Sequence, residues 1–190
     1  MIMWTMQPVE VYEELKRTGV YRCDFNKSSF SKDEHFIYAY NWMKEQLTHR
    51  RGNPKHIKDM VWAWHTYDGK HKKPDLRHSG YGTKGEKLVC LEIDIPDNEV
   101  LLSDFGEWHN VLNKNLCDTS RNEAEWDKIH AKLDSLPNEI RYKTIVNSWQ
   151  RIFDIRQYKT DWRSNGYYVQ AVFWELRLDE IRNVQYFTAR

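Results

Sequence analysis

The sequence predicts one α+β domain with a mixed or mostly antiparallel sheet and helices packed against it. No Pro-, Gly- or Ser-rich linker divides the 190 residues, so the chain is expected to form a single unit, 1–190. Hydrophobic residues make up 40% and charged residues 30%, which is typical of a folded domain. The predicted strands and helices do not alternate regularly, which disfavours a doubly wound parallel sheet.

The first elements are defined by apolar spacing and by helix-end signals. Met1–Met6 is a short apolar run that predicts a strand. A helix with an apolar face follows and ends at Gly19, before a short strand at Val20–Cys23. Ser31 and Glu34 have the spacing of a capping box, so a second helix is expected from there to about His49.

The middle of the chain predicts two strands around a basic loop. Met60–Thr66 is rich in Trp and Val and too short for a helix, and Lys87–Ile95 is a second apolar strand. A turn at Pro96-Asp97-Asn98 leads to an extended segment, Val100–Leu102, and Ser103 is expected to start a helix.

The last third predicts a helical cover and the final strands. Two amphipathic helices and a polar loop are followed by a strand, a helical turn and another strand. In order, these elements are Asn122–Asp134, Pro137–Trp149, Asp154–Gly166, Tyr167–Leu176, Leu178–Ile181 and Asn183–Thr188.

Positive charge is concentrated in one window although the net charge is only +1. Between His49 and Lys87 there are ten Lys or Arg and four acids, a balance of +6, so the rest of the chain carries −5. Such a window is either a solvated loop or a phosphate-binding segment. Nine Trp and eleven Tyr similarly indicate either a core with half-buried rings or a surface on which rings stack.

Several classes of function lack their motifs. Gly-Tyr-Gly-Thr-Lys-Gly-Glu at 80–86 does not have the Lys-Ser/Thr ending of a Walker loop, and no GxGxxG follows a strand. The three cysteines are widely separated and the histidines lack metal-binding spacing, so we expect no metal site and a reducing compartment. No signal peptide or membrane span is predicted, which favours a cytoplasmic protein without a membrane partner.

Four segments together resemble a bacterial and phage family known only as a domain of unknown function. They are WTMQPVEVYEELKRTGVYRCD, VWAWHTYDGKHKKPDLRHSGYG, EIDIPDNEVLLSDFGEWHNVLN and YVQAVFWELRLDEIRNVQYF. The resemblance covers essentially the whole chain and implies no activity.

A second resemblance implies chemistry. The N-terminal strand, the helix ending in Gly and the late strand with Gln170-Ala171 are similar to DNA-targeting ADP-ribosyltransferases, whose late strand reads Gln-Ala-Glu. The resemblance implies an NAD cofactor and Gln170 as a catalytic residue. Val172 stands where that family has its catalytic Glu, so Glu175 is the nearest candidate for the catalytic carboxylate. In a regular strand, Gln170 and Glu175 would lie on opposite faces.

An NAD-dependent reaction needs cations for the pyrophosphate and rings for the base or nicotinamide, so we expect NAD or a related nucleotide to bind in one basic, aromatic-lined cleft. Trp4 and Thr5 occupy the place where the transferases often contact NAD. The alternative role for each candidate is structural, in the core or in an ion pair. The candidates are Arg22, Lys72, Lys73 and Arg77 for phosphates, Trp64, Tyr81 and Trp174 for stacking, and Trp4 and Thr5.

Two alternatives from other classes stay open. The basic loop and exposed aromatics would also suit a non-catalytic module that binds nucleic acid. A Trp-rich face would suit an interaction protein of a phage or mobile element that inhibits a host protein.

Overall fold

A six-stranded antiparallel sheet lies at the centre of the computed structural model, which describes residues 1–190, and confirms the predicted α+β class. Its strands are β1 (Ile2–Pro8), β3 (Val61–Thr66), β4 (Lys87–Asp94), β5 (Leu101–Asp104), β8 (Val169–Phe173) and β10 (Ile181–Thr188). Their order across the sheet is β10-β4-β1-β3-β8-β5. The helices are α1 (Val9–Thr18), α2 (Glu34–Arg51), α3 (Phe105–Leu112), α4 (Glu123–Asp134) and α5 (Asn138–Ser148).

Two small ribbons complete the strands. β2 (Val20–Tyr21) pairs with β9 (Leu176–Arg177), and β6 (Tyr158–Lys159) pairs with β7 (Ser164–Asn165). The second ribbon lies inside a segment that the sequence predicts as a loop, because two-residue strands have no apolar alternation to reveal them.

Both faces of the central sheet carry a buried apolar core. On one face, Met3 and Phe173 belong to a core that includes Leu15 of α1. On the other face, Val172 belongs to a second core together with Trp108 of α3 and residues of α2. Because neighbouring side chains of a strand point to opposite faces, the chain needs apolar residues at both alternations, as in Leu88–Leu91.

Register places the candidate strand residues on one face. Trp4 of β1 is paired with Trp64 of β3, and Trp64 is paired with Gln170 of β8. Directly paired residues point to the same side of a sheet, so these three side chains share the face covered by α2 and α3.

Gly19 ends α1 as predicted. Its φ of 77° lies in the left-handed region, and its N–H donates to the carbonyl of Leu15 at 2.8 Å. A residue with a Cβ would be strained in this conformation.

Two predicted helix starts are wrong. Asp33, not Ser31, caps α2, and its carboxylate accepts from the N–H groups of His35 and Phe36 at 2.9 and 3.2 Å. Asp104, not Ser103, caps α3, while Ser103 is the third residue of β5. In both cases a carboxylate one or two residues further on is the better acceptor for the first helical N–H groups.

The predicted strand Tyr167–Leu176 is interrupted. β8 ends at Phe173, and Trp174 and Glu175 are irregular before β9 leaves the central sheet to pair with β2. This break decides where Glu175 lies, as described below.

No helix of the chain is both long and apolar enough to cross a lipid bilayer. No cluster of three or more His, Cys, Asp or Glu side chains has the geometry to hold a metal ion.

Candidate functional site

A cavity of about 570 Å³ opens on the sheet face that carries Trp62 and Gln170. We call it the aromatic cavity, because most of its lining residues are hydrophobic and nine have aromatic rings. Its volume lies within the range of small-molecule sites, which is roughly 300–1,000 Å³. The nine rings are those of Tyr21, Phe25, Phe30, Phe36, Tyr40, Trp62, Tyr81, Phe105 and Trp108.

Helices α2 and α3 build one wall of the aromatic cavity. Phe36 and Tyr40 are four residues apart on α2, so their side chains lie on one face of that helix. The Tyr40 ring is 5.6 Å from that of Trp62 and 6.0 Å from that of Trp108, and the two indoles are 5.1 Å apart. These ring-to-ring contacts fix the shape of the wall.

The floor of the aromatic cavity has unused hydrogen-bonding groups. The Nε1 atom of Trp62 and the Oε1 atom of Gln170 are both buried and have no hydrogen-bond partner. Ser103 does not line the cavity, but it is paired with Gln170 across the sheet and also has an unpartnered buried hydroxyl. Buried polar groups are nearly always paired, and each unpaired one costs about 1–3 kcal/mol. The floor therefore holds donor and acceptor capacity that the protein itself does not satisfy.

Charge in the aromatic cavity is almost neutralised. Asp59 is the single carboxylate among its lining residues, and Lys44 is the single Lys or Arg. They form an ion pair of 3.1 Å, and Asp59 also accepts from the N–H of Phe25 at 3.2 Å. The cavity consequently offers rings rather than a free cation or a free carboxylate.

His109 is the remaining titratable side chain of the wall on α3. Its Nδ1 lies 2.9 Å from the carbonyl oxygen of Phe105. A carbonyl only accepts, so Nδ1 must carry the proton, which leaves Nε2 available to a ligand.

Two groups at the β2 side of the cavity are held in their neutral forms. Burial raises the pKa of the Cys23 thiol, and burial raises the pKa of the Tyr21 phenol. Burial also raises the pKa of Tyr40 to about 12. All three therefore remain protonated at neutral pH and can donate hydrogen bonds.

Of the residues predicted from the sequence, Gln170 and Tyr81 line the aromatic cavity. Trp4, Thr5 and Trp64 lie on neighbouring strands without lining it. Trp4 is buried with its Nε1 donating to Glu92 at 3.1 Å, and the Thr5 hydroxyl donates to the carbonyl of Trp62 at 2.7 Å. Both side chains therefore bond to neighbouring strands of the sheet, which is a structural role.

Glu175 lies at a different place, which we call the Glu175 ion cluster, formed with Arg22, Lys55 and Arg177. The Glu175 side chain is only 5% exposed and accepts two hydrogen bonds from Arg22, both at 3.1 Å, and one from Lys55. Arg177 is 3.7 Å away. The break after Phe173 turns Glu175 toward β2, so it is not brought together with Gln170.

Trp174 belongs to this second region. Its Nε1 donates to the carbonyl of Gly52 at 2.7 Å, and the side chain lines a cavity of about 310 Å³ that Glu175 also lines. The two cavities share no lining residue. Gln170 lines the aromatic cavity, and Glu175 lines the smaller one.

The basic loop contacts the protein's own side chains. Lys73 donates to Gln185 of β10, Lys72 pairs with Asp68 at 3.4 Å, and Arg77 pairs with Asp75 at 2.6 Å. The single cleft of cations and rings expected from the sequence is therefore divided between three places: the aromatic cavity, the Glu175 ion cluster and the basic loop. Binding of nucleic acid or of a host protein remains a prediction.

Sequence reasoning missed most of the aromatic wall. The sequence predicts one helix over Phe36 and Tyr40 and another over Trp108, but it assigns none of these rings to a site. Phe25 and Phe30 precede α2 and had no assigned role. The available signal was the density of rings between Tyr21 and Tyr40, but only the tertiary fold brings them to face Trp62.

Comparison with known proteins gives a family. The family model of DUF3841, a domain of unknown function, matches residues 2–182. A search of curated proteins and a search of solved structures found no significant match.

Proposed function

We propose that this protein, which belongs to the DUF3841 family, whose description names no activity, binds the planar ring of a nucleotide in the aromatic cavity. NAD is the nucleotide that we propose, in a domain of ADP-ribosyltransferase-like character. The observation that carries this proposal is the unpartnered pair Trp62 Nε1 and Gln170 Oε1 at the floor of a cavity walled by nine aromatic rings.

The floor suits a carboxamide. A donor and an acceptor on neighbouring strands can pair with the carbonyl oxygen and the N–H of one amide group. Nicotinamide carries such a group on a flat ring. Stacking against Tyr40 or Trp108 would hold the ring, and hydrogen bonds to Trp62 and Gln170 would fix its orientation.

The walls favour a cationic ring. Aromatic faces attract cations, and the contribution is about 0.5–2 kcal/mol depending on how far the cation is desolvated. The Lys44–Asp59 pair adds little net charge to oppose this preference. The oxidised nicotinamide of NAD⁺ is a cation, whereas the reduced ring of NADH is neutral and no longer aromatic.

The phosphates take a smaller part in this proposal. Lys44, the single Lys or Arg that lines the cavity, is already paired with Asp59. Lys72, Lys73 and Arg77 do not line it. We therefore assign recognition to the ring, with the pyrophosphate outside the aromatic wall.

The proposal is binding rather than transfer. Stabilising the oxocarbenium-like sugar of an ADP-ribosyl transfer requires an anion or an oriented carbonyl near the reacting carbon. Asp59 is the single carboxylate of the cavity and is held by Lys44 and Phe25, while Glu175 lies in its own ion cluster. If purified protein released nicotinamide from NAD⁺, the protein would catalyse cleavage of NAD⁺ in addition to binding it.

We expect NAD⁺ to bind more tightly than NADH. The cation preference of the rings corresponds to roughly twofold to thirtyfold in Kd. Calorimetric titration of the full chain with each dinucleotide measures the ratio, and the shared phosphates and adenine make NADH the matched control. Equal affinity for the two, or binding of neither, contradicts the proposed ring recognition.

A further inference from the structure

β10 is an open edge of the central sheet. It pairs with β4 on one side and is the terminal strand of the order β10-β4-β1-β3-β8-β5. Five of its eight residues are exposed, and Tyr186 is 55% exposed. Its charged residue Arg182 and a register irregularity between Ile181 and Asn183 lie at its start, so the segment from Asn183 to Thr188 contains no proline, charge or bulge of the kinds that commonly protect such edges.

The direction of the free backbone groups follows from the residue after β10. Ala189 donates to the carbonyl of Glu86 and accepts from the N–H of Gly85, both at 2.9 Å, so its backbone faces the β4 side. Alternation along the strand then turns the backbone groups of Val184, Tyr186 and Thr188 outward. The N–H of Val184 is bonded at 2.9 Å to the side chain of its neighbour Asn183, as expected for a donor outside the β4 ladder.

We propose that β10 pairs with β10 of a second copy of this chain, in an antiparallel arrangement centred on Gln185. This register places Val184 opposite Tyr186 of the second copy, with outward backbone groups on both. β-branched and aromatic residues form a favourable cross-strand pair. Asn183, Val184, Gln185, Tyr186 and Phe187 form the paired segment, and none of them is charged, so the paired strands themselves bring no like charges together.

The second copy is favoured as the occupant because the segment is complementary to itself. In this symmetric arrangement, the outward N–H of Tyr186 meets the outward carbonyl of Val184 in the other copy. The N–H of Val184 exchanges its bond with Asn183 for the carbonyl of Tyr186, which completes a two-fold interface. Lys73, which donates to Gln185, would lie near the axis in both copies. Their repulsion should be screened by salt, so dimerisation should strengthen as salt is added.

Cysteine cross-linking tests the register. Gln185 would face Gln185 of the second copy as a non-hydrogen-bonded pair, with Cα atoms about 4.5 Å apart, within disulfide range. Cys90 lies opposite Gln185 on β4, so the background variant is Cys90→Ala. In that background, Gln185→Cys is expected to give a disulfide-linked dimer under mild oxidation. Asn183→Cys is the matched control, because its two copies would lie about 14 Å apart.

Light scattering of the full chain tests the association itself. The expected result is a concentration-dependent rise from 23.1 kDa toward twice that mass. Val184→Pro removes an outward N–H, and Tyr186→Lys places a charge at the edge; each should give a monomer with an unchanged circular dichroism spectrum. A monomer at all concentrations and salt levels, or equal cross-linking of the Gln185→Cys and Asn183→Cys variants, overturns the proposal.

Discussion

Replacing Glu175 by glutamine is expected to destabilise the protein by about 2 kcal/mol at pH 7, a magnitude typical of lost hydrogen bonds to charged groups. The Glu175 carboxylate is buried and joins Arg22, Lys55 and Arg177 from three parts of the chain. Glutamine keeps the shape but removes the charge, which leaves these cations facing one another. Arg22 and Lys55 are about half exposed, and water will moderate the loss.

The effect of Glu175→Gln should depend on pH in a defined direction. Burial opposes ionisation of Glu175, but hydrogen bonds from Lys55 and Arg22 outweigh it and lower the pKa of the carboxyl below its ordinary value of 4.5. A lowered folded-state pKa contributes stability that is complete above the unfolded-state pKa and is lost as pH falls through the folded-state value. The difference between wild type and variant should therefore shrink below about pH 4.5.

Chemical denaturation at several pH values measures this difference. Glu99→Gln is the matched control, because Glu99 is more exposed and contacts only Arg177, at 3.5 Å. It should change the free energy of unfolding by less than about 1 kcal/mol. A Glu175→Gln variant as stable as wild type at pH 7, or a stability difference that grows on acidification, would show that the Glu175 ion cluster does not stabilise the fold.

Replacing Gln170 by leucine is expected to stabilise the free protein and weaken nucleotide binding. Leucine has a similar size and removes the buried Oε1 atom that lacks a partner, so the free energy of unfolding should rise by about 1 kcal/mol. The same change removes the acceptor proposed for the carboxamide of nicotinamide. NAD⁺ affinity should fall by roughly tenfold, which corresponds to about 1.4 kcal/mol.

These opposite signs distinguish a binding group from a packing group. Gln185→Leu is the control, since Gln185 is an exposed glutamine on the same face of the sheet but outside the aromatic cavity. It should leave NAD⁺ affinity unchanged. A Gln170→Leu protein that is less stable and binds NAD⁺ as tightly as wild type would assign Gln170 to the fold alone.

The fold was largely predictable because its signals are local. Gly19 ends α1 in the left-handed conformation, and strands β3 and β4 follow their apolar runs within one residue of the predicted bounds. The prediction of helix starts failed where two side-chain acceptors within a few residues compete for the first helical N–H groups, as at Ser31 and Asp33. The predicted end of β8 was wrong because the apolar run continues through Trp174, whereas the backbone leaves the central sheet after Phe173 and then pairs with β2.

The candidate site was less predictable because it is assembled by tertiary contacts. Gln170 was named from a resemblance, and its place at the cavity floor depends on the register with Trp64 and Ser103. Residues of α2 and α3 can meet Trp62 only once those helices are packed on the sheet. Glu175 is also five residues from Gln170, and one break in a strand is enough to move such a residue into another surface region.

Protection of Cys23 from alkylation tests the central claim most directly, because Cys23 lines the aromatic cavity whereas Cys90 and Cys117 are buried elsewhere. Burial raises the pKa of the Cys23 thiol above its ordinary value of 9.0, so labelling is best followed at alkaline pH, where more thiolate is present. Mass spectrometry of each cysteine gives the site-specific rate. The account predicts that saturating NAD⁺ slows labelling of Cys23, that NADH does so less, and that Cys90 and Cys117 are unaffected. An unchanged Cys23 rate with NAD⁺ bound would place the nucleotide outside this cavity and contradict the account.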